Sequence, residues 1–273
     1  MIKLILKHQP TVPLEAEVLS PSALAELSHD EICALRLYHG KRQVRVDDLF
    51  EVEGERSDEV EIHGDLHRVR WLGREMSHGQ LTIHGSVGMH LGAYMKGGRI
   101  DVHGSAGDWI GGEMKNGFIH VHGHGGGQIG GGYRGSLRGM KNGTIIVDGT
   151  AGLEVGLRMR RGTIVIGGMV KDFCGLQMKG GTIVLLEGAE IRTGAWMNRG
   201  TIISMQPLQL LPTFQFTCYY NPTFLNVYAR YLETLGINVP HMAQDGSWAR
   251  YCGDCSVPGK GEILVWHPHT VTA

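Results

Sequence analysis

The chain has 273 residues, 42% of them hydrophobic, and a formal net charge of -1. That is enough apolar material for a substantial core, and the charge balance excludes a broad electrostatic footprint for nucleic acid. No apolar run approaches the roughly 20 residues of a membrane-spanning helix, and five scattered cysteines do not form a disulfide framework; the reading is a cytoplasmic protein.

The opening "MIKLILK" alternates apolar and polar residues and reads as a first strand rather than a secretory leader. "SPSALAELSHDE" follows, with a Ser-Pro helix start and the Ser28 to Glu31 spacing of a capping box. Residues 1–54 are therefore expected to cap what comes next.

From residue 55 to 206 the chain repeats itself. The pattern M-x-x-G-x-Φ-x-Φ, with Φ aliphatic, starts at Met76, Met95, Met114, Met140, Met159, Met178 and Met197. The steps are 19, 19, 26, 19, 19 and 19 residues. Fixed-period self-similarity marks a repeat architecture. Position +5 after each methionine holds Leu81, Ile100, Ile119, Ile145, Ile164, Ile183 and Ile202; position +7 holds Ile83, Val102, Val121, Val147, Ile166, Leu185 and Ser204. This is strand periodicity with both residues on one face. A degenerate eighth repeat with Val60, Ile62 and Gly64 precedes them. Nineteen residues are too few for a helical crossover, so the expectation is an all-β parallel solenoid of seven to eight coils, the methionine filling each corner between two turn glycines.

The long step carries a seven-residue excursion, Arg134 to Met140. Counting 19 from Met114 lands on Tyr133, which is expected to take the methionine's slot before the chain leaves the coil. Insertions in solenoids map to loops on one face and often bind partners. Tyr133, Arg134 and Arg138 are thus the candidate partner or anion-binding residues, against the alternative of a tolerated loop with solvated arginines.

Position +6 runs Thr82, Asp101, His120, Ile146, Val165, Val184 and Ile203, polar in the early repeats and β-branched in the later ones. The later half needs a cover. Residues 207–273 or a partner subunit can supply it, and the tail is the first choice, because "NPTFLNVYARYLETLG" reads as an amphipathic helix of about 14 residues. Asn221 stands in a capping position, Pro222 in the first turn, and Phe224, Tyr228, Tyr231, Leu232 and Leu235 on one stripe, with Gly236 as the stop.

Three patterns suggest chemistry. Position +8 forms a histidine ladder, His63, His84, His103 and His122, followed by Asp148. Parallel imidazoles do not converge on one point as tetrahedral zinc requires. Cys252 and Cys255, with His267 and His269, have the wrong histidine spacing for a zinc site and no thioredoxin-like context, and read as free thiols. Gly125, Gly127 and Gly130 satisfy GxGxxG inside the repeat rather than at a strand-to-helix turn, so the match is accidental. Asp101, Asp108, Asp148 and Asp172 stand singly in sequence. No catalytic, cofactor-binding or metal residue is assigned, and the reading is a rigid binding or scaffolding module.

The unit G-x-x-M-x-x-G-x-Φ-x-Φ-x-G at a 19-residue step, as in "GGEMKNGFIHVHG", resembles the glycine-rich β-helix that ends the large subunit of glutamate synthase. With the lead-in "LYHGKRQVRVDDLFEVEG", the chain more closely resembles the C subunits of formylmethanofuran dehydrogenase and of the related formyltransferase/hydrolase complex. The resemblance implies a right-handed parallel β-helix with a structural, non-catalytic role in the complex. Its implied partners are the metal-dependent formylmethanofuran hydrolase, the B subunit that accompanies it, and the formyltransferase. Methanofuran and tetrahydromethanopterin would act in the complex, outside this chain. The tail "LLPTFQFTCYYNPTF" and "GKGEILVWHP" looks like the hydrolytic branch; a molybdenum or tungsten dehydrogenase and a glutamate-synthase-like module are the alternatives.

Overall fold

The computed structural model describes residues 1–237 and 246–268. One 13-stranded sheet runs through it. Its centre is a series of parallel strands: Glu59–His63, Gln80–His84, Arg99–Val102, Phe118–Val121, Thr144–Val147, Thr163–Ile166, Lys179–Leu185 and Arg199–Ser204. Each repeat sits one strand further along the sheet, and the residues expected to share a column do so. Leu81 pairs with Ile100, Ile100 with Ile119, Ile119 with Ile145, and so on to Ile202. Parallel bridges link Leu66, Val87, Ala106 and Gly125, and again Ala151, Val170 and Ala189, so neighbouring repeats also touch away from the main sheet.

The seven methionines are fully buried, and their geometry explains the glycines beside them. Gly117 has φ +111°, and a Cβ placed on it would lie 2.8 Å from Met95 Cε of the preceding repeat. The same relation ties Gly98 to Met76, Gly162 to Met140 and Gly200 to Met178. The glycine three residues before six of the seven methionines, Met140 being the exception, answers a second constraint: a Cβ on Gly111 would lie 2.4 Å from Ile145 Cδ1 in the following repeat. Each glycine therefore accommodates a left-handed turn and a neighbour's side chain at one place.

The excursion does not follow the expected path. Met140, fully buried with its Cε against the Gly162 position, takes the methionine's slot, and Met140 N donates to Gly130 O at 2.8 Å as Met114 N does to Gly111 O at 3.0 Å. The chain leaves before the methionine rather than after it, so Tyr133 belongs to the excursion. Outside the sheet, the extra residues leave the strand register untouched: His120 still pairs with Ile146.

Both ends extend the same sheet. Ile2–Leu6 pairs in parallel with Glu59–His63, and Phe50–Glu53 closes that edge antiparallel. The capping box forms, with Ser28 N donating to Glu31 Oε2 at 2.9 Å. A four-stranded sheet, which includes Arg36–His39 and Arg42–Arg45, lies beside this end. At the other end Gly261–Pro268 pairs in parallel with Arg199–Ser204, matching Ile202 to Ile263, and continues antiparallel through Gly246–Gly253 to Gln215–Tyr220. The antiparallel tail strands carry no 19-residue signal, which is why the sequence showed only their helix.

That helix, Phe224–Thr234, covers the later outward column. Leu225 and Leu232 cluster with Ile146, Val165, Val184 and Ile203, joined by Trp248 and Leu264. The phenols of Tyr231 and Tyr228 lie 2.8 Å from the hydroxyls of Thr144 and Thr182. Two details differ from expectation. Thr223 rather than Asn221 occupies the N-cap, Asn221 donating instead to Gly246 O, and Leu225 rather than the 39%-exposed Phe224 faces the core. The rest of the expected stripe holds, with Leu232 in the cluster, Leu235 packed against it, and Tyr228 and Tyr231 bonded to the sheet.

If the methionine and glycine interlock sets the stacking, Gly117→Ala should destabilise the chain by about 2–4 kcal/mol through positive-φ strain and overpacking. Gly135→Ala, at a loop position with nothing within 4 Å, should cost less in the same chemical denaturation series.

Candidate functional site

The repeat builds two outward surfaces with chemical character. The first is a corner that the strand pattern did not reveal. Residues five before the methionine adopt left-handed backbone without being glycine: Trp71 at φ +65°, His90 at +67° and Trp109 at +65°. Successive rungs then place these side chains over one another. Trp71 and His90 stack at 4.1 Å between centroids, and Trp109 stacks on Tyr133 at 4.6 Å. Arg74 lies over the Trp71 ring at 5.2 Å, a cation–π contact.

Tyr133 folds back from the excursion onto this stack. Its hydroxyl is 3.0 Å from His90 Nδ1, and its backbone N–H donates to Glu113 Oε1 at 3.1 Å. Gly112 makes room, since a Cβ there would meet the Tyr133 ring at 2.8–3.1 Å. Burial pushes the Tyr133 phenol pKa up, so the phenol stays the donor and neutral His90 the acceptor. Burial, with Arg70 adding to it, lowers the His90 pKa to about 4.

Beyond Tyr133 lies a cleft of about 910 Å³, lined by Asp108, Trp109, Arg134, Glu154 and Arg158 among others. Of the three residues expected to act together, Tyr133 and Arg134 reach this cleft and Arg138 does not. Arg158 takes its place: it donates to Gln177 Oε1 at 2.7 Å and to the carbonyl of Ser136, tying the excursion down. Arg134 and Arg138 are exposed, with no side-chain hydrogen bond among the described residues, and Leu137 between them is 69% exposed. The acids at the cleft are engaged, Asp108 by Gly127 N at 2.7 Å and Glu154 by Gln128 Nε2 at 3.1 Å. Among the described residues lining the cleft, the acids are held by hydrogen bonds and the Tyr133 hydroxyl by His90, an arrangement suited to binding.

The second surface is the outer face of the early strands. The histidine ladder is present: His63, His84, His103 and His122 stack at 4.2, 5.0 and 5.3 Å. At its end the neighbouring column joins in. His120 and His122, two residues apart on one strand, lie 4.0 Å apart with rings tilted by 40°. Asp148 reaches His120 Nε2 at 2.9 Å and His122 Nδ1 at 3.1 Å, and Asp101 Oδ1 is 3.9 Å from His122 Nε2. The two aspartates that stand singly in sequence thus flank one histidine pair.

The cysteines make no such cluster. Cys252 lies on the strand Gly246–Gly253, Cys255 is exposed, and both are free thiols. His267 packs against Tyr219 instead, and His269 lies outside the described residues. Gly125, Gly127 and Gly130 sit within the repeat, with no helix following them.

Among the described residues no helix is long and apolar enough to cross a membrane. The family model described as the GXGXG motif matches residues 64–213. The C subunit of the tungsten-containing formylmethanofuran dehydrogenase 2 of Methanothermobacter wolfeii is 41% identical over 92 residues, 32% of this chain and 34% of that protein. The C subunit of the molybdenum-containing dehydrogenase 1 of Methanothermobacter thermautotrophicus is 40% identical over 91 residues, 33% of this chain and 23% of that protein. The chain therefore aligns with about a third or less of these curated relatives. A solved structure extends the similarity to nearly the whole chain. In the crystal structure of the formyltransferase/hydrolase complex from Methylorubrum extorquens with methylofuran, one chain superposes with a TM-score of 0.87 and 32% identity, covering 96% of this chain and 98% of that one.

The His90 pKa sets a pH dependence. Lowered in the folded state, it makes the unfolded chain bind more protons between about pH 4 and the unfolded value near 6.5. The stability from neutral His90 is therefore fully present above that window and is lost as pH falls through it. Denaturation at pH 7 and 4.5 should show about 1–2 kcal/mol more loss in the natural chain than in His90→Phe, after discounting for partial exposure. Equal losses in the two would refute the assignment.

Proposed function

Because this chain belongs to the GXGXG-motif family, we propose that it is a non-catalytic structural subunit of a formyltransferase/hydrolase complex. The observation that carries the proposal is the full-length similarity, which includes the head and tail beyond the repeats, to a chain of the complex from Methylorubrum extorquens. The repeats wind as a right-handed parallel β-helix, a reading supported by in-register parallel strands at a 19-residue step. Residues 1–54 and 207–273 close its ends, a role supported by strand Ile2–Leu6 and helix Phe224–Thr234.

In this reading other members of the complex do the chemistry. The formyltransferase passes the formyl group from formyl-tetrahydromethanopterin to methanofuran. The metal-dependent hydrolase, with the B subunit at its side, adds water to formylmethanofuran, releasing formate and regenerating the amine. This chain holds neither coenzyme as its own and works in the cytoplasm. Its contribution is a rigid surface: stacked repeats fix the position of every outward column, and a fixed surface lets partners dock without ordering a flexible segment first. Support comes from the corner cleft, whose acids are engaged by hydrogen bonds and whose exposed excursion carries Arg134, Leu137 and Arg138 outward.

A second reading, the C subunit of a molybdenum or tungsten formylmethanofuran dehydrogenase, rests on the 40–41% identity to those proteins. It accounts for a third of the chain, whereas the hydrolytic reading accounts for the tail as well, so the latter is preferred.

Native mass spectrometry with metal analysis on the gently purified endogenous assembly tests the choice. The proposal expects hydrolase and formyltransferase chains and neither molybdenum nor tungsten; pterin-bound metal with iron-sulfur partners would select the dehydrogenase. Separately, changing Arg134 and Arg138 together to alanine should weaken assembly several-fold while leaving the thermal melt unchanged. Unaltered assembly would remove the excursion from the interface.

A further inference from the structure

The ladder by itself offers metal ions little. His63 and His84 stack nearly parallel, 14° between planes, so their in-plane lone pairs run alongside each other rather than meeting. The step from His122 to Asp148 differs in three respects. The His120 ring comes from the adjacent outward column and is tilted by 40° to His122, which allows two nitrogens to approach a common point. Ligand atoms of Asp101, His120 and His122 all lie within 4.8 Å of one another. Asp148 then stands within hydrogen-bond reach of both rings, and its bond to His122 Nδ1 leaves Nε2 of that ring facing Asp101.

We propose that Asp101, His120 and His122 form a binding site for a divalent transition-metal ion of the zinc class, with Asp148 as its positioning residue. Two imidazoles and one carboxylate are a donor set such ions accept, with water completing the coordination. A carboxylate that holds the far nitrogen of a ligating histidine is the usual second-layer partner. Nitrogen and oxygen ligands about 2.0–2.2 Å from zinc stand roughly 3.3–3.6 Å from each other in a tetrahedron, so the 3.9 Å from Asp101 Oδ1 to His122 Nε2 needs to close by only a few tenths of an ångström. Arg99 pairs with Asp101 along the same strand, its Nη2 3.0 Å from Oδ1, and must share that oxygen with the ion. Arg99 Nε also donates to Asp101 Oδ2, so the ion competes with a two-point ion pair for this carboxylate, while the Phe118 ring, 4.4 Å from the Arg99 guanidinium, gives the displaced side chain a second contact. With both histidines neutral, the two aspartates and Arg99 sum to one negative charge, and the ion reverses that sign.

The location follows from the repeat. Before this step both outward columns are polar, and after it Ile146 begins the stretch covered by the helix. The site thus marks the border between the open and covered halves of the sheet. Its side chains remain partly accessible, His122 at 39% and Asp148 at 43%, so an ion can enter from solvent.

The test is Zn²⁺ titration of the tag-free full chain by calorimetry at neutral pH, with Co²⁺ absorption as the reporter of coordination. One ion per chain is expected, lost in the double variant His120→Gln, His122→Gln and weakened about 10- to 100-fold in Asp148→Asn. Binding should persist in His63→Gln with His84→Gln, where Glu61 completes the rival cluster, and in Cys252→Ser with Cys255→Ser. Circular dichroism melts confirm that each variant is folded. No stoichiometric binding to the natural chain, binding that survives loss of His120 and His122, or binding that disappears with the cysteines would overturn the proposal.

Discussion

The contact on which the rest of the structure depends is the seating of one repeat's methionine against the glycine of the next. Met95 Cε occupies space that any side chain at Gly117 would fill, and the same fit recurs from Met76 to Met197, the last against Gly261. From Gly98 to Gly200 two requirements meet at each glycine, a left-handed turn and a close neighbour, and glycine satisfies both; at Gly261 the close neighbour alone applies. Once the corners are locked, the strands between them have no freedom to slip. The column residues then stay in register, with one bulge between Lys179 and Thr182 outside the columns, and isoleucines and valines from successive repeats form continuous buried columns. A one-residue slip in any repeat would turn those columns outward.

This rigidity decides where function can reside. Among the described residues the interior is filled by like side chains, so recognition falls to the outer columns and to departures from the period. Three surfaces result. The later half of the sheet is apolar outside and takes the helix Phe224–Thr234 as its cover. The early half is polar and carries the histidines. The corner collects Trp71, His90 and Trp109, on which the excursion settles through Tyr133. In the role proposed above, these fixed surfaces are where partner chains dock.

The period made much of the fold legible in advance. The +5 and +7 columns, the buried methionines, the apolar outer face and its helical cover could all be read from residue identity at fixed spacing. What stayed hidden has physical causes. The corner stack depends on left-handed backbone at Trp71, His90 and Trp109, where residue type gives no sign of positive φ. The excursion was misplaced because Tyr133 has the correct spacing for the methionine's slot, whereas Met140 has the correct shape, reaching the Gly162 corner with its terminal methyl. The grouping of Asp101, His120, His122 and Asp148 spans two columns and three strands across the irregular step, so reading one column at a time separated its members. Of the tail strands, Gln215–Tyr220 and Gly246–Gly253 pair antiparallel and carry no repeat, while Gly261–Pro268 continues the buried column from far outside the 19-residue spacing.

In the proposed role this chain supports chemistry carried by its partners. The most direct measurement is formyl transfer and formylmethanofuran hydrolysis by purified components reconstituted with and without it. The account predicts no turnover by the chain alone and, when it is omitted, loss of a stable assembly together with the coupling of the two reactions. Turnover by the isolated chain, or full coupled activity in its absence, would contradict it.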